Sequence, residues 1–179
     1  LDYEALIESG DDEELRQRGK KDLAKALARD AAAEFTKLGY VAEGKPRIKD
    51  APPLIYHPAE DLAPGFEEMA QGNLMRYRES LPPERRVLFD RYELADVALK
   101  VVGVGSVGTM CGVALLFAAD GDPLFMQIKE ARQSVLEPYV KAPAFATNGE
   151  RVVFGQRLMQ ASSDMFLGHF VNHVGKHLY

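Results

Sequence analysis

Three glycines in a G-x-G-x-x-G pattern, Gly103, Gly105 and Gly108, constrain this chain more than any other feature. The apolar pair Val101-Val102 leads into them, and the run Leu124-Phe125-Met126-Gln127-Ile128 leads out to Lys129-Glu130. Glycine lets the backbone turn tightly and bring its N–H groups close to a phosphate, where a Cβ would collide. A nucleotide site is therefore the first expectation. Two different folds use such a loop, and the neighbouring elements must decide between them.

Charge and cysteine content narrow the field. A net charge of -5 argues against non-specific nucleic-acid binding, which needs a basic face. The lone Cys111 excludes an internal disulfide and a cysteine zinc site, and its apolar flanks mark it as a small buried hydrophobe. No run reaches the ~18 apolar residues of a membrane span, and no signal peptide is present, so a cytoplasmic protein with no membrane partner is expected. The chain opens on Leu1 without Met and stops in an apolar run at Tyr179, which reads as a piece of a longer protein.

The first ninety residues read as helical with a proline-rich joint. Asp11 to Glu14 suit a helix N-terminus, and Leu15, Leu23, Leu27, Ala31, Phe35 and Leu38 recur at helical spacing. They predict one long helix from Asp12 to Leu38, ended by Gly39. Gly44 to Pro64 is connector, with Leu54-Ile55-Tyr56 a short extended piece and His57 a loop residue. Phe66 to Ser80 is a second helix, broken by Pro82-Pro83. Pro83 starts a third, running to about Tyr92.

From Glu93 the pattern changes. Leu94 to Val102 fits a strand. Thr109 to Ala118 is ambiguous between strand and buried helix. Asp120-Gly121-Asp122 is a turn, and Pro123 to Lys129 a strand. Residues 132–147 read as loop. Asn148 offers an N-cap to a helix over Gly149 to Phe166, with Leu158 and Met159 among its apolar positions. The stretches on either side of Gly175 form a hairpin.

One fold for the loop is a Rossmann unit binding NAD(P) in an oxidoreductase. Thr109 to Ala119 would then be helical, and Glu130, 22 residues past Gly108, would meet the ribose hydroxyls. It lacks further strand–helix alternation after Glu130. The other is a protein-kinase-like small lobe, an α+β arrangement of five antiparallel strands with one packed helix after the helical first part. There the loop joins two antiparallel strands over ATP, a third strand carries a phosphate-binding lysine, and a helix follows. Met126-Gln127-Ile128-Lys129 stands where kinases have V-A-I-K, and the element order fits through Tyr179.

The chain also resembles a known family. The residues that carry the likeness are Asp96-Val97-Ala98, the run Lys100 to Thr109, Gln127-Ile128-Lys129-Glu130-Ala131, Arg151-Val152-Val153, Gly155 to Ala161 and Asp164 to Gly168. They resemble an uncharacterised bacterial family classed as a domain of unknown function, similar in fold to kinases and aminoglycoside phosphotransferases. The likeness is dense from Tyr92 to Tyr179 and looser before. It implies a longer protein whose G-D-x-H-x-x-N and D-F-D motifs precede this segment; neither motif occurs here. It implies that residues 93–179 cover ATP or GTP, after the helical segment read over residues 1–92. Magnesium would come mainly through the missing part, and the segment alone would not catalyse.

The candidate residues follow. Gly103, Gly105, Ser106 and Gly108 would order phosphates, and Lys129 would neutralise their charge. The plain alternatives are a tight hairpin turn and a strand-end lysine in water. Glu150 is the candidate carboxylate for Lys129, against a simple role at the helix start. Glu130 faces the other side of its strand, and Gln156 and Gln160 stand mid-helix where a kinase-like lobe places a carboxylate. His169, His173 and His177 recur every four residues, but the expected hairpin removes the helical alignment a metal would need. Asp164 reads as a helix-end residue. Two further outcomes are a degenerate lobe kept for protein interaction and self-association through exposed apolar faces.

Overall fold

A computed structural model describes residues 3–27, 31–61, 63–103, 108–140 and 144–179. Ala28, Gly105 and Ser106 lie outside the described residues. The elements run α1 (Tyr3–Glu8), α2 (Glu13–Leu27), α3 (Ala31–Leu38), β1 (Gly39–Ala42), β2 (Lys45–Ile48), β3 (Ile55–Tyr56), α4 (Phe66–Ser80), α5 (Pro83–Phe89), β4 (Tyr92–Lys100), β5 (Cys111–Ala118), β6 (Pro123–Lys129), α6 (Asn148–Met159), β7 (Phe170–Val171) and β8 (His177–Leu178). The chain is α+β with antiparallel sheets throughout. No described helix is long and apolar enough to cross a membrane.

The central sheet has four strands in the order β3-β4-β5-β6, not five. The expected fourth and fifth strands form a separate hairpin, β7–β8, joined to the end of β6. Lys129 and Tyr179 exchange backbone hydrogen bonds of 2.9 and 3.0 Å, and Glu130 bridges to Leu178. The β7–β8 turn is fixed by Gly175 at φ 78° and by the Asn172 side chain, whose Oδ1 accepts from the Val174 and Lys176 amides. The residues between the two strands are spent in that turn, so each strand keeps only two residues.

Both faces of the sheet are covered. One packs on Tyr77, Leu81, Phe89, Phe170 and Leu178; the other packs on Ile48, Phe35 and Ile55. Successive side chains on a strand point to opposite faces, so Leu115 and Leu116 are both fully buried, one in each layer. Burial of each contributes about 2 kcal/mol. β5 consequently reads as an unbroken apolar run, which is why its sequence alone could not separate strand from helix.

The first half departs from its helical reading. The predicted 12–38 helix is described as α2 and α3, and Gly39 opens a strand instead of capping a helix. β2 falls within the expected connector of Gly44 to Pro64 and pairs with β1 as a hairpin. Its turn is Glu43-Gly44, both at positive φ (51° and 76°), which matches the two-residue hairpin turn. Pro46 sits in a two-stranded pair, in which each strand has an unpaired edge and a missing N–H is tolerated. Pro83 does begin α5, which stops at Phe89, earlier than expected.

Two corrections concern α6. Thr147, not Asn148, is the N-cap, its Oγ1 accepting from the Glu150 amide at 3.0 Å. The helix ends at Met159, and Leu158 and Met159 are exposed at 73% and 83%. Only its first part is clasped. A Cβ on Gly149 would lie 2.6 Å from the Leu178 carbonyl oxygen, so glycine alone permits this approach of helix to hairpin.

Candidate functional site

The glycine loop joins β4 to β5, which are antiparallel neighbours. Its entrance is tied by the Val101 amide donating to the Leu54 carbonyl, 2.7 Å. Its exit is tied to the segment after β6. The Glu130 amide donates to the Met110 carbonyl at 2.9 Å, and the Met110 amide donates to Glu130 Oε2 at 2.8 Å. Arg132 adds a bond from its guanidinium to the Gly108 carbonyl. The β5–β6 register sets Lys129 opposite Cys111, the residue immediately after the loop.

The two described glycines of the motif differ. Gly108 has φ 77°, a conformation L side chains rarely adopt, so its backbone requires glycine. Gly103 is not in that region, and a Cβ built on it would meet nothing within 4 Å among the described residues.

Below the sheet lies a cleft of about 540 Å³. Its walls are mainly apolar and come from α4, one sheet face and the β7–β8 hairpin, through Phe66, Met69, Leu94, Met126, Ile128 and Phe170. Its polar lining brings together Lys129, Gln156, Gln160 and Asp164, four residues singled out in the sequence. Among the described residues, the Lys129 ammonium has neither hydrogen bond nor ion pair.

Glu150 is elsewhere. Its carboxylate accepts from the Ala146 amide at 2.9 Å, and its own amide is held by Thr147, a reciprocal cap at the helix start. No ion pair joins it to Lys129 among the described residues. The histidines separate as well. Val171 pairs with His177, which removes His169 from the cross-strand position opposite His177. His177 Nδ1 accepts from the Asn148 amide at 2.9 Å. Among the described residues no group of three or more His, Cys, Asp or Glu could hold a metal.

The structure also assembles two carboxylate centres, one on Glu130, expected only as a ribose acid in the Rossmann reading, and one on Asp96, which no local pattern marked as a site residue. Glu130, whose side chain is 10% exposed, binds Met110 N–H, Arg132 Nε (3.1 Å) and Lys176 Nζ (3.1 Å). The Met110 amide, ahead of the two cations, holds its pKa down to about 2. Asp96 lies in β4 just after a bulge and its side chain is fully buried. It accepts from the Ile48 amide (2.7 Å), Arg47 (3.0 Å) and His57 Nε2 (3.0 Å), while His57 Nδ1 meets Asp50 at 2.9 Å. Burial alone would push the Asp96 pKa up, but the His57 and Ile48 bonds together hold it below the ordinary value. The Asp96 bond raises that of His57. The available signals were weak: an acid inside an apolar strand at Asp96, and an acid after a strand at Glu130.

A family model described as "Uncharacterized protein conserved in bacteria (DUF2252)" matches residues 1–179. The chain belongs to this family. No curated protein and no solved structure matches it. The family spans both the helical first part and the glycine-loop segment, so both belong to one conserved bacterial unit.

Proposed function

We propose that this member of the family is the nucleotide-binding part of a kinase-like phosphotransferase that takes ATP or GTP. One observation carries the reading: an antiparallel pair joined by the glycine loop, followed by a third antiparallel strand whose last residue, Lys129, stands level with the loop exit. The helix α6 and the hairpin then follow in the order that a kinase-like small lobe requires. The apolar cleft suits a base, its volume lies within the roughly 300–1,000 Å³ of small-molecule sites, and its charged edge suits phosphate. Gly103 to Gly108 supply N–H groups, and Lys129 supplies a point charge to the polyphosphate. Magnesium is brought by residues outside this segment, and catalysis needs them too.

The Rossmann alternative required a helix from Thr109. Cys111–Ala118 is a strand antiparallel to both neighbours, so no parallel βαβ unit forms around this loop. The reading as a degenerate lobe serving protein interaction draws on the exposed apolar side chains of α6.

Calorimetric titration of MgATP, and separately of NAD, tests the proposal. Binding of MgATP that is lost in Lys129→Ala is the expected result. NAD binding indifferent to that substitution, or MgATP binding unchanged by it, overturns the proposal. Phosphoryl transfer by this segment alone would overturn the division of labour.

A further inference from the structure

We propose that Lys100 and Lys129 form a two-cation site for the polyphosphate of the bound nucleotide, with Lys100 the second phosphate-binding residue. The inference rests on the nucleotide reading above. It follows from sheet register. Ile55 pairs with Lys100, and Cys111 pairs with Lys129. Leu99 pairs with Gly112, so Lys100 stands level with Cys111, one residue further on. Lys100 ends β4, Cys111 opens β5 and Lys129 ends β6. The three make one row across adjacent strands, with the lysine backbones roughly 10 Å apart at two strand spacings. Lys129 also lines the cleft, so it joins the row to the candidate base site.

The row has a single face. Residues directly opposite on paired strands, and residues two apart on one strand, share a face. Ile55 and Ala98 lie in the layer of Ile48, which sets Lys100 on that side. Gln127 Nε2 donates to Cys111 Sγ at 3.4 Å, which sets Gln127, Cys111 and Lys129 together. Val113, two residues after Cys111, belongs to the same Ile48 layer. Both lysines are half-buried, and neither ammonium has a hydrogen bond or ion pair among the described residues. The neighbouring acids are occupied. Glu130 follows Lys129 on the opposite face and is held by Arg132 and Lys176. Asp96 shares the face of the row but is taken up by Arg47, His57 and the Ile48 amide. A chain of net charge -5 thus leaves two neighbouring cations uncompensated at one end of its sheet, a local positive field in an acidic protein. Like charges in one row repel, and an anion between them relieves the repulsion. Lysine meets phosphate as a point charge on a flexible stem, so both ammoniums can close on one polyphosphate.

The test titrates MgATP, inorganic triphosphate and adenosine into wild type, Lys100→Met, Lys100→Arg and Lys129→Ala. Methionine keeps an unbranched stem and removes the charge, whereas arginine keeps the charge. Lys100→Met is expected to weaken MgATP and triphosphate about tenfold, the scale of one hydrogen bond to a charged group, and to leave adenosine unchanged. Lys100→Arg restores most of that loss, and the advantage of wild type over Lys100→Met shrinks as salt is raised. Thermal unfolding without ligand stays the same in Lys100→Met, which separates a lost charge from a damaged fold. Triphosphate binding that ignores Lys100→Met overturns the proposal, and so does an equal loss for adenosine. If MgATP binding depends on Lys129 but not on Lys100, the nucleotide reading stands and the second lysine fails. If triphosphate binds through both lysines while MgATP and adenosine do not bind, the row stands as a polyphosphate site and the nucleotide reading fails. Wild type that binds none of the three overturns both.

Discussion

Asp96 and Glu130 each fasten a loop to the sheet through a backbone amide and cationic neighbours, but only Asp96 is tied to a group that titrates near neutrality. Asp96 holds the proline-rich strap through His57 and the β1–β2 hairpin through Arg47 and the Ile48 amide. Glu130 holds the glycine loop through Met110, Arg132 and Lys176. Asp96 has no exposed side-chain surface, whereas Glu130 keeps 10%. The first centre is costly to empty because the fully buried acid is the acceptor of the buried Ile48 amide. The second is nearer water and is bonded to an arginine and a lysine. The strap is thus secured by a histidine–carboxylate pair, and the exit of the glycine loop by a carboxylate with two basic partners.

The largest test of that contrast is Asp96→Ala. It removes the acceptor of the buried Ile48 amide and one of the two acid partners of both Arg47 and His57, so unfolding by denaturant should show a loss of about 2–4 kcal/mol. A loss below about 1 kcal/mol would break the comparison, since it would mean the centre is relaxed or wet. Glu130→Ala should cost less, about 1.5–3 kcal/mol by the same measurement, because one charged acceptor is removed from partners that can reach water. Equal costs would erase the distinction drawn from exposure.

The pH dependence sharpens it further. The folded pKa of His57 is raised by its bond to Asp96, so its contribution is complete below the ordinary value of 6.5 and is lost as pH rises through the folded value. Asp96, held below 3.8, contributes fully above that value and loses its contribution as pH falls. The pair is therefore strongest between about pH 4 and 6.5. His169 works the other way, since burial lowers its pKa and favours its neutral form at higher pH. Thermal unfolding across pH 6 to 8 should thus show a downward component in wild type that is missing in His57→Gln; identical slopes would remove His57 from the strap. The Glu130 contribution is present above 4.5 and fades only as pH falls toward its folded value of about 2.

The smallest expected effects lie in the loop itself. Gly108→Ala forces a side chain into positive φ and should cost about 1 kcal/mol of stability. Gly103→Ala meets nothing within 4 Å among the described residues and should leave stability unchanged to within about 0.5 kcal/mol, while weakening MgATP binding if phosphate approaches that backbone. A clear stability loss at Gly103 would assign that glycine to the fold and not to a ligand.

Much of the second half was legible from residues 92 to 129 and from the Gly175 turn. Glycine, proline and Asp-Gly signals act within a few residues, so the β5–β6 turn at Gly121, the break at Pro82-Pro83 and the start of α5 could be read directly. The β1–β2 hairpin was hidden because Pro46 argues against a strand interior, although Glu43-Gly44 carries the correct turn. The single sheet of five strands was not realised, since the Asn172–Gly175 turn consumes residues that alternation assigned to strands. Among candidate site residues, Lys129 lies on the cleft with Gln156 and Gln160, while Glu150 is occupied at its own helix start.

By itself the sequence determined where the chain turns and which segments are apolar enough to be buried, because those preferences are local. Only the tertiary structure decided the partners of the charged groups. His57 meets Asp96 across 39 residues, and Glu130 meets Met110 across 20. Neither separation carries a period or a turn signal. Each pairing exists because sheet register and layer packing bring distant backbone amides and side chains together in a place where an unpaired charge would be costly.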